Sequence, residues 1–339
     1  MTVRVGINGF GRIGRNFLRA VMQADADIEV VAVNDLTSAE VHAQLLRYDS
    51  THGPLRSRVD VDGTDLVVAN RRIAVLCERD PAALPWEDFG VEVVIESTGI
   101  FRSRSEASVH LKGGASTVIV TAPSEDADAT IVMGVNDASY DPALHHVISN
   151  ASCTTNCFVP MVKVIDDAFG IEGGLMTTVH AYTNDQNLLD LPHKDLRLAR
   201  AAAVNIVPNS TGAARATKLA LPEMAGRLDG TALRVPVVCG SITDFTVLVA
   251  RRVTAEEVNA AFRAAATEGP LAAVLEYTED PIVSTDIIGN PASCIFDPSL
   301  TQVQPVGDKT LVKANGWYDN EWGYSNRLVD LVQLVSAPR

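Results

Sequence analysis

The sequence predicts an α/β protein built as two domains, and three observations carry that prediction. Its 339 residues are enough for two separate cores. Over about the first 150 residues, short β-rich runs alternate with helical ones, the pattern of a parallel sheet with crossover connections. A glycine-rich turn, Gly9-Phe10-Gly11-Arg12-Ile13-Gly14, joins the first of those strands to the first helix. Composition agrees, because 47% apolar residues with 5% aromatics suit a compact α/β chain and not a disordered one. With no repeat and no low-complexity linker, the boundary near residue 150 rests on the change of pattern.

The elements follow in order. Val3–Asn8 reads as a strand, Arg15–Gln23 as a helix and Glu29–Asn34 as a second strand ending at Asp35. G-x-G-x-x-G between strand and helix, with an acid about twenty residues on, is a dinucleotide-binding pattern. Gly9 permits the tight turn, Gly11 lets the backbone approach a pyrophosphate, and Gly14 lets helix and strand pack closely. The amides around Arg12 and Ile13 offer the anion site. Asp35 accepts ribose hydroxyls and repels a 2′-phosphate, which favours NAD over NADP. Leu66–Leu76 reads as an inserted hairpin, and Val91–Glu96, Thr117–Thr121 and His146–Ser149 as further strands. Two of these end in Ser97-Thr98-Gly99 and Thr121-Ala122-Pro123, which are expected to line a cofactor crevice at the carboxyl ends of the sheet.

Ser149-Asn150-Ala151-Ser152-Cys153-Thr154-Thr155-Asn156-Cys157 opens the second half. Apolar residues then recur at helical spacing from Phe158 to Phe169 and stop at Gly170. Ser152 reads as the N-cap and Cys153 as a first-turn residue. There the helix dipole and unpaired N–H groups favour a thiolate, so Cys153 is a candidate nucleophile. The alternative is a small buried thiol, against which its hydroxyl-rich neighbours argue. Cys157, one turn on, reads as helix packing. His180 lies in an alternating β-branched run, Thr177–Thr183, and is the candidate base, although spacing alone does not bring it to the cysteine.

Several function classes are disfavoured. A formal charge of −14 argues against non-specific nucleic-acid binding and requires local arginines for any anionic substrate. Five scattered cysteines argue against a disulfide framework or a zinc site, and no metal is expected. No apolar run approaches a membrane span or a signal sequence, so a soluble, cytoplasmic protein is expected.

N-G-F-G-R-I-G-R at 8–15, S-N-A-S-C-T-T-N-C at 149–157 and H-A-Y-T at 180–183 resemble phosphorylating glyceraldehyde-3-phosphate dehydrogenase. So do P-H-K-D-L-R at 192–197, S-T-G-A-A at 210–214, R-V-P at 234–236 and W-Y-D-N-E-W-G-Y at 317–324, collinear over essentially the whole chain. The resemblance implies a Rossmann NAD-binding domain over 1–150 and an α+β catalytic domain over 151–319 with a mostly antiparallel sheet. A C-terminal helix over about 320–339 would rejoin the first domain. It implies that Cys153 is the nucleophile of a thiohemiacetal and thioester pathway and that His180 is its base. Thr183 and Arg234 would hold the substrate phosphate, and Ser152, Thr154, Thr211 and Gly212 would surround inorganic phosphate. Arg12, Ile13, Asp35, Arg79, Thr121, Asn184 and Asn320 would contact NAD, with Tyr324 near the nicotinamide. The expected substrates are glyceraldehyde 3-phosphate and phosphate, in a homotetramer whose subunits meet along the run from about Tyr182 to Pro208.

The chain departs from the family pattern in two places. Arg197-Leu198 stands where many relatives carry adjacent arginines, leaving Arg197, Arg200 or neither as the basic partner for inorganic phosphate. Val237-Val238-Cys239-Gly240 replaces the commoner threonine-containing run after R-V-P. Leu191-Pro192 with Asp35 resembles the NAD-using members. Two rival functions follow from the same residues. Erythrose-4-phosphate dehydrogenase shares the Cys/His pair but tends to lack the Thr-Gly pair at 211–212. A non-catalytic NAD-binding redox sensor would need no phosphate-binding residues.

Overall fold

The computed structural model describes residues 2–337 and divides into two compact units. The first comprises residues up to 131, 137–151 and from 325 onward; the second comprises 132–136 and 152–324.

The first unit is organised on a sheet of nine strands. These are β1 (Val3–Asn8), β2 (Ile28–Asn34), β3 (Val59–Asp62), β4 (Asp65–Val68), β5 (Arg71–Leu76), β6 (Val93–Glu96), β7 (Thr117–Val120), β8 (Ala129–Thr130) and β9 (Val147–Ser149). Their order is β3-β4-β5-β2-β1-β6-β7-β9-β8. All neighbours are parallel except β3–β4 and β4–β5, which form the hairpin insertion. Central strands read as continuous apolar runs because both faces are covered: β6 and β7 are buried at every position. Helices α1 (Arg12–Ala24) and α2 (Ala39–Arg47) and the single-turn α3 (Arg104–Ala107) and α4 (Val109–Lys112) connect them. The order turns at β1, which pairs with β2 on one side and β6 on the other, so the first βα turn lies at the switch point where ligands bind.

The second unit opens with α5 (Cys153–Phe169), followed by β10 (Ile171–Ala181), β11 (Val207–Ser210), α6 (Ala213–Ala220), β12 (Leu228–Val235) and β13 (Ser241–Val249). Then come α7 (Ala255–Ala265), β14 (Leu275–Tyr277), β15 (Cys294–Phe296), β16 (Gln302–Val306), β17 (Lys309–Tyr318) and α8 (Trp322–Ser336). Strand order is β11-β12-β10-β13-β17-β15-β14, with β16 beside β17. Five of the seven pairings are antiparallel; β10–β12 and β14–β15 are parallel. Strict alternation along β13 turns Ser241, Thr243, Phe245, Val247 and Val249 inward. Helix α5 packs on that inner face, with Phe158 edge-on to Phe245 at 4.8 Å between ring centroids. Cys157 is fully buried there, as helix packing requires. From Ser325 on, α8 belongs to the first unit.

Candidate active site

Ala151 takes a left-handed backbone (φ 54°), uncommon outside glycine, immediately before α5 starts. Ser152 is the N-cap: its Oγ accepts from the Thr155 N–H at 3.1 Å and pairs with Thr155 Oγ1 at 2.8 Å. Cys153 is therefore the first residue of the helix, and its Sγ lies 3.4 Å from His180 Nε2 near the end of β10.

Register then supplies the third member. In the parallel β10–β12 pairing His180 is opposite Arg234, and Arg234 Nη1 lies 2.6 Å from His180 Nδ1. The Ala181 carbonyl also approaches Nδ1, at 2.6 Å, and accepts from Arg234 Nη1 at 3.2 Å. A guanidinium only donates and a carbonyl only accepts, so the two neighbours of Nδ1 favour opposite neutral tautomers of the ring.

Burial and charge act on both members of the pair. Burial, followed by the Arg234 charge, pulls His180 down to about 3, so the ring is neutral. Burial also raises the Cys153 thiol, against smaller lowering effects of Arg234 and Thr154. Burial thus opposes the expected resting thiolate, while the helix start, Arg234 and Thr154 favour it.

Beneath the pair lies a group that sequence reasoning did not single out. Tyr318, buried at the end of β17, shares its hydroxyl with Thr154 Oγ1 (2.9 Å) and Thr178 Oγ1 (2.7 Å). Its ring stands edge-on to His180, with centroids 6.0 Å apart. It lies within the family-like run at 317–324, and that run was its only sequence signal.

The remaining predicted anion ligands are spread along the second unit. Thr183 is part-buried, and Thr211 Oγ1 accepts from the Ala213 N–H at 3.2 Å, with exposed Gly212 as the N-cap of α6. Among the described residues no hydrogen bond joins Thr183, Thr211, Gly212 or Arg197 to the Cys153–His180 pair. Arg200 is tied to Asp190 at 3.1 Å, whereas Arg197 has no ion pair among the described residues. Asn184 is exposed; Asn320 and Tyr324 are buried.

The first unit holds a separate constellation. Gly9 has φ 91°, and a Cβ there would meet the Thr98 amide nitrogen at 2.6 Å, so this turn admits only glycine. A Cβ on Gly14 would strike the Gly9 carbonyl, whereas one on Gly11 would meet nothing within 4 Å. Gly11 therefore borders open space at the α1 N-terminus, where no side chain caps the helix. Asp35 receives the Phe10 N–H at 2.8 Å and the Leu36 N–H at 2.7 Å, which orients its carboxylate beside the loop. The Arg12 side chain pairs with Asp49. Burial opposes ionisation of Asp49, but the hydrogen bond from Arg12 and the His52 and Thr51 amides bring it down to about 2. With that guanidinium engaged, the Arg12 and Ile13 amides remain the natural anion donors. Thr98 donates its amide to Glu96 at 2.9 Å, Thr121 is part-buried, and Arg79 is exposed. An uncapped helix start, an open glycine and an oriented carboxylate together fit a dinucleotide.

Comparison with known proteins agrees over the whole length. Residues 3–104 match the family described as glyceraldehyde 3-phosphate dehydrogenase, NAD binding domain, and residues 152–320 match its C-terminal domain. Glyceraldehyde-3-phosphate dehydrogenase of Streptomyces coelicolor is 61% identical over 335 residues, covering 99% of each chain. Its counterpart in Mycobacterium bovis is 58% identical over 341 residues with the same coverage, and glyceraldehyde-3-phosphate dehydrogenase 2 of Streptomyces avermitilis is 58% identical over 335.

Proposed function

The chain belongs to the glyceraldehyde-3-phosphate dehydrogenase family, and from that premise we propose that Cys153 and His180 carry its reaction. The protein is an NAD-dependent oxidoreductase of glycolysis that converts glyceraldehyde 3-phosphate and inorganic phosphate to the acyl phosphate, 1,3-bisphosphoglycerate. The observation supporting the residue assignment is the 3.4 Å approach of Cys153 Sγ to His180 Nε2 at a helix start.

Arg234 has two calls on its guanidinium, His180 Nδ1 at rest and the substrate phosphate on binding. A phosphate dianion is the stronger acceptor and draws Arg234 away. Nδ1 can then carry the proton toward the Ala181 carbonyl, which frees Nε2 as a base facing the thiol. Nε2 takes the thiol proton while Sγ bonds to the aldehyde carbon; returned to the new oxygen, that proton completes the thiohemiacetal. His180 next withdraws the hydroxyl proton, and bound NAD supplies the acceptor for the hydride that the same carbon gives up. A thioester on Cys153 results. An oxygen of inorganic phosphate attacks its carbonyl carbon, the C–S bond breaks, and the departing sulfur recovers its proton from the imidazolium. Splitting the conversion through a covalent adduct lets the thioester's energy pass into the acyl phosphate.

Thr183 joins Arg234 on the substrate phosphate, while Ser152, Thr154, Thr211, Gly212 and Arg197 receive inorganic phosphate. Arg197 is preferred to Arg200 because the latter already faces Asp190. Gly9, Gly11, Arg12, Ile13, Asp35, Arg79, Thr98, Thr121, Asn184, Asn320 and Tyr324 serve the cofactor. A homotetramer suits the run from Tyr182 to Pro208, which exposes Leu188, Leu189, Leu191, Leu196, Val204 and Ile206. No helix among the described residues is long and apolar enough to cross a membrane, and the reaction belongs in the cytoplasm.

The experiment is a steady-state assay that varies aldehyde, NAD and phosphate independently. NADH formation that requires all three supports the assignment. Equal rates on erythrose 4-phosphate without phosphate would overturn it.

A further inference from the structure

The run Val237–Gly240, which departs from the family pattern, leads into a buried hydrogen-bond chain that the reaction steps above do not use. Strand β10 pairs with β13 only as far as Val179 opposite Ile242, so the Ala181 N–H has no ladder partner there. It donates instead to Ser241 Oγ at 3.1 Å. A hydroxyl has one proton, and with Ala181 donating to it, Ser241 directs that proton to Asn320 Oδ1 at 2.9 Å. The Gly240 N–H reaches the same oxygen at 3.2 Å. Cys239 beside them commits its S–H to Asp319 Oδ1 at 3.0 Å.

The Ser241 hydroxyl and the Gly240 N–H thus converge on Asn320 Oδ1, with Cys239 Sγ 3.8 Å from the same oxygen, and the backbone donor cannot reverse its polarity. Turning the amide over would set Nδ2 against the Gly240 N–H. Glycine is required to hold that N–H in place: its φ is 90°, and a Cβ would strike the Ser284 carbonyl. Ser241 is 1% exposed and Asn320 6%, so the arrangement is screened from bulk water. Asn320 Nδ2 has no protein partner among the described residues and is the face left for a ligand.

We infer that Ser241 is a positioning residue for the cofactor: with Gly240 it locks the Asn320 amide so that Asn320 meets the nicotinamide carboxamide only as a donor to its carbonyl oxygen. This rests on the reading that Asn320 contacts NAD. The same hydroxyl also anchors the end of β10, where the Ala181 carbonyl faces His180 Nδ1. One serine therefore ties the cofactor's hydrogen-bond donor to the strand that carries the base.

The test compares wild type, Ser241→Ala, Ser241→Thr and Asn320→Ala, using NAD, its 3-acetylpyridine analogue and its thionicotinamide analogue. The acetylpyridine compound keeps the carbonyl oxygen and the thio compound replaces it. Loss of one buried hydrogen bond in Ser241→Ala should raise KM for NAD roughly three- to tenfold. It should also shrink the preference for the acetylpyridine over the thio analogue by a similar factor, and Ser241→Thr should restore both. A purely structural serine would leave that preference unmoved. Circular dichroism and thermal unfolding of the cofactor-free variants report that they are folded. Should the alanine variant not fold, Ser241→Cys, nearly isosteric with a weaker donor, carries the same comparison. If Asn320→Ala loses NAD affinity and analogue preference while the Ser241 variants keep both, the positioning role is refuted. If Asn320→Ala itself binds NAD as wild type does, the underlying reading of Asn320 fails, and the proposal falls with it.

Discussion

The cofactor loop of the first unit and the thiol–imidazole pair of the second are built in opposite ways. The loop is local: residues 9–14 and Asp35 act through backbone amides, a positive φ and one carboxylate held by its neighbours' N–H groups. The pair is assembled from afar. Cys153, His180, Arg234 and Tyr318 come from α5, β10, β12 and β17, and strand register with the packing of α5 on the sheet decides that they meet. A backbone-built site tolerates side-chain change but not a change of turn. A register-built site concentrates its chemistry in a few side chains, each of which should matter greatly.

The sharpest break in this contrast is Cys153→Ser. Turnover should vanish, because no other group performs the addition, while NAD affinity measured by calorimetric titration stays near wild type. A comparable loss of NAD binding would mean that the two sites are not separable.

Next in size is His180→Asn, expected to lower turnover about 10²- to 10⁴-fold as a lost general base. The Cys153 alkylation rate against pH should shift upward. An unmoved profile would remove His180 as the partner of the thiol.

In the loop, Asp35→Gly should leave turnover with saturating NAD almost unchanged and shift the NAD-to-NADP ratio of kcat/KM by roughly tenfold or more, the value of a hydrogen bond to a charged group. An unchanged ratio would take Asp35 out of the discriminating role.

The smallest effect is on stability. The folded-state value of Asp49 is depressed from 3.8 to about 2, so its contribution is present above 3.8 and lost as pH falls through about 2. Asp49→Asn should cost about 1–3 kcal/mol near neutrality and flatten that acid limb in urea unfolding followed against pH. An unaltered limb would show that Arg12 and Asp49 are not coupled in folding.

Most of the loop was legible in the sequence because turn chemistry is written in adjacent residues. Gly9 and Gly14 do what their spacing implies, and Asp35 stands beside the loop as its spacing suggests. The start of α5 was equally legible, since Ser152 caps the helix as its position suggests. The burial that acts on the Cys153 sulfur was not. A first-turn position argues for the thiolate, and the desolvation that opposes it comes from packing around the sulfur. Tyr318 and Ser241 escaped notice for a related reason: a tyrosine and a serine in β-rich runs look like ordinary sheet residues until the register shows what their hydroxyls bridge.

By itself the sequence determined the fold class, the glycine-rich turn and the place of Cys153 at a helix start, because local backbone geometry and hydrophobic period depend on near neighbours. Only the tertiary structure decided which nitrogen of His180 faces the sulfur, which charge lies behind it and which way the Asn320 amide points. Those properties arise where distant strands meet out of water, and there one hydrogen-bond donor from the neighbouring strand sets the outcome.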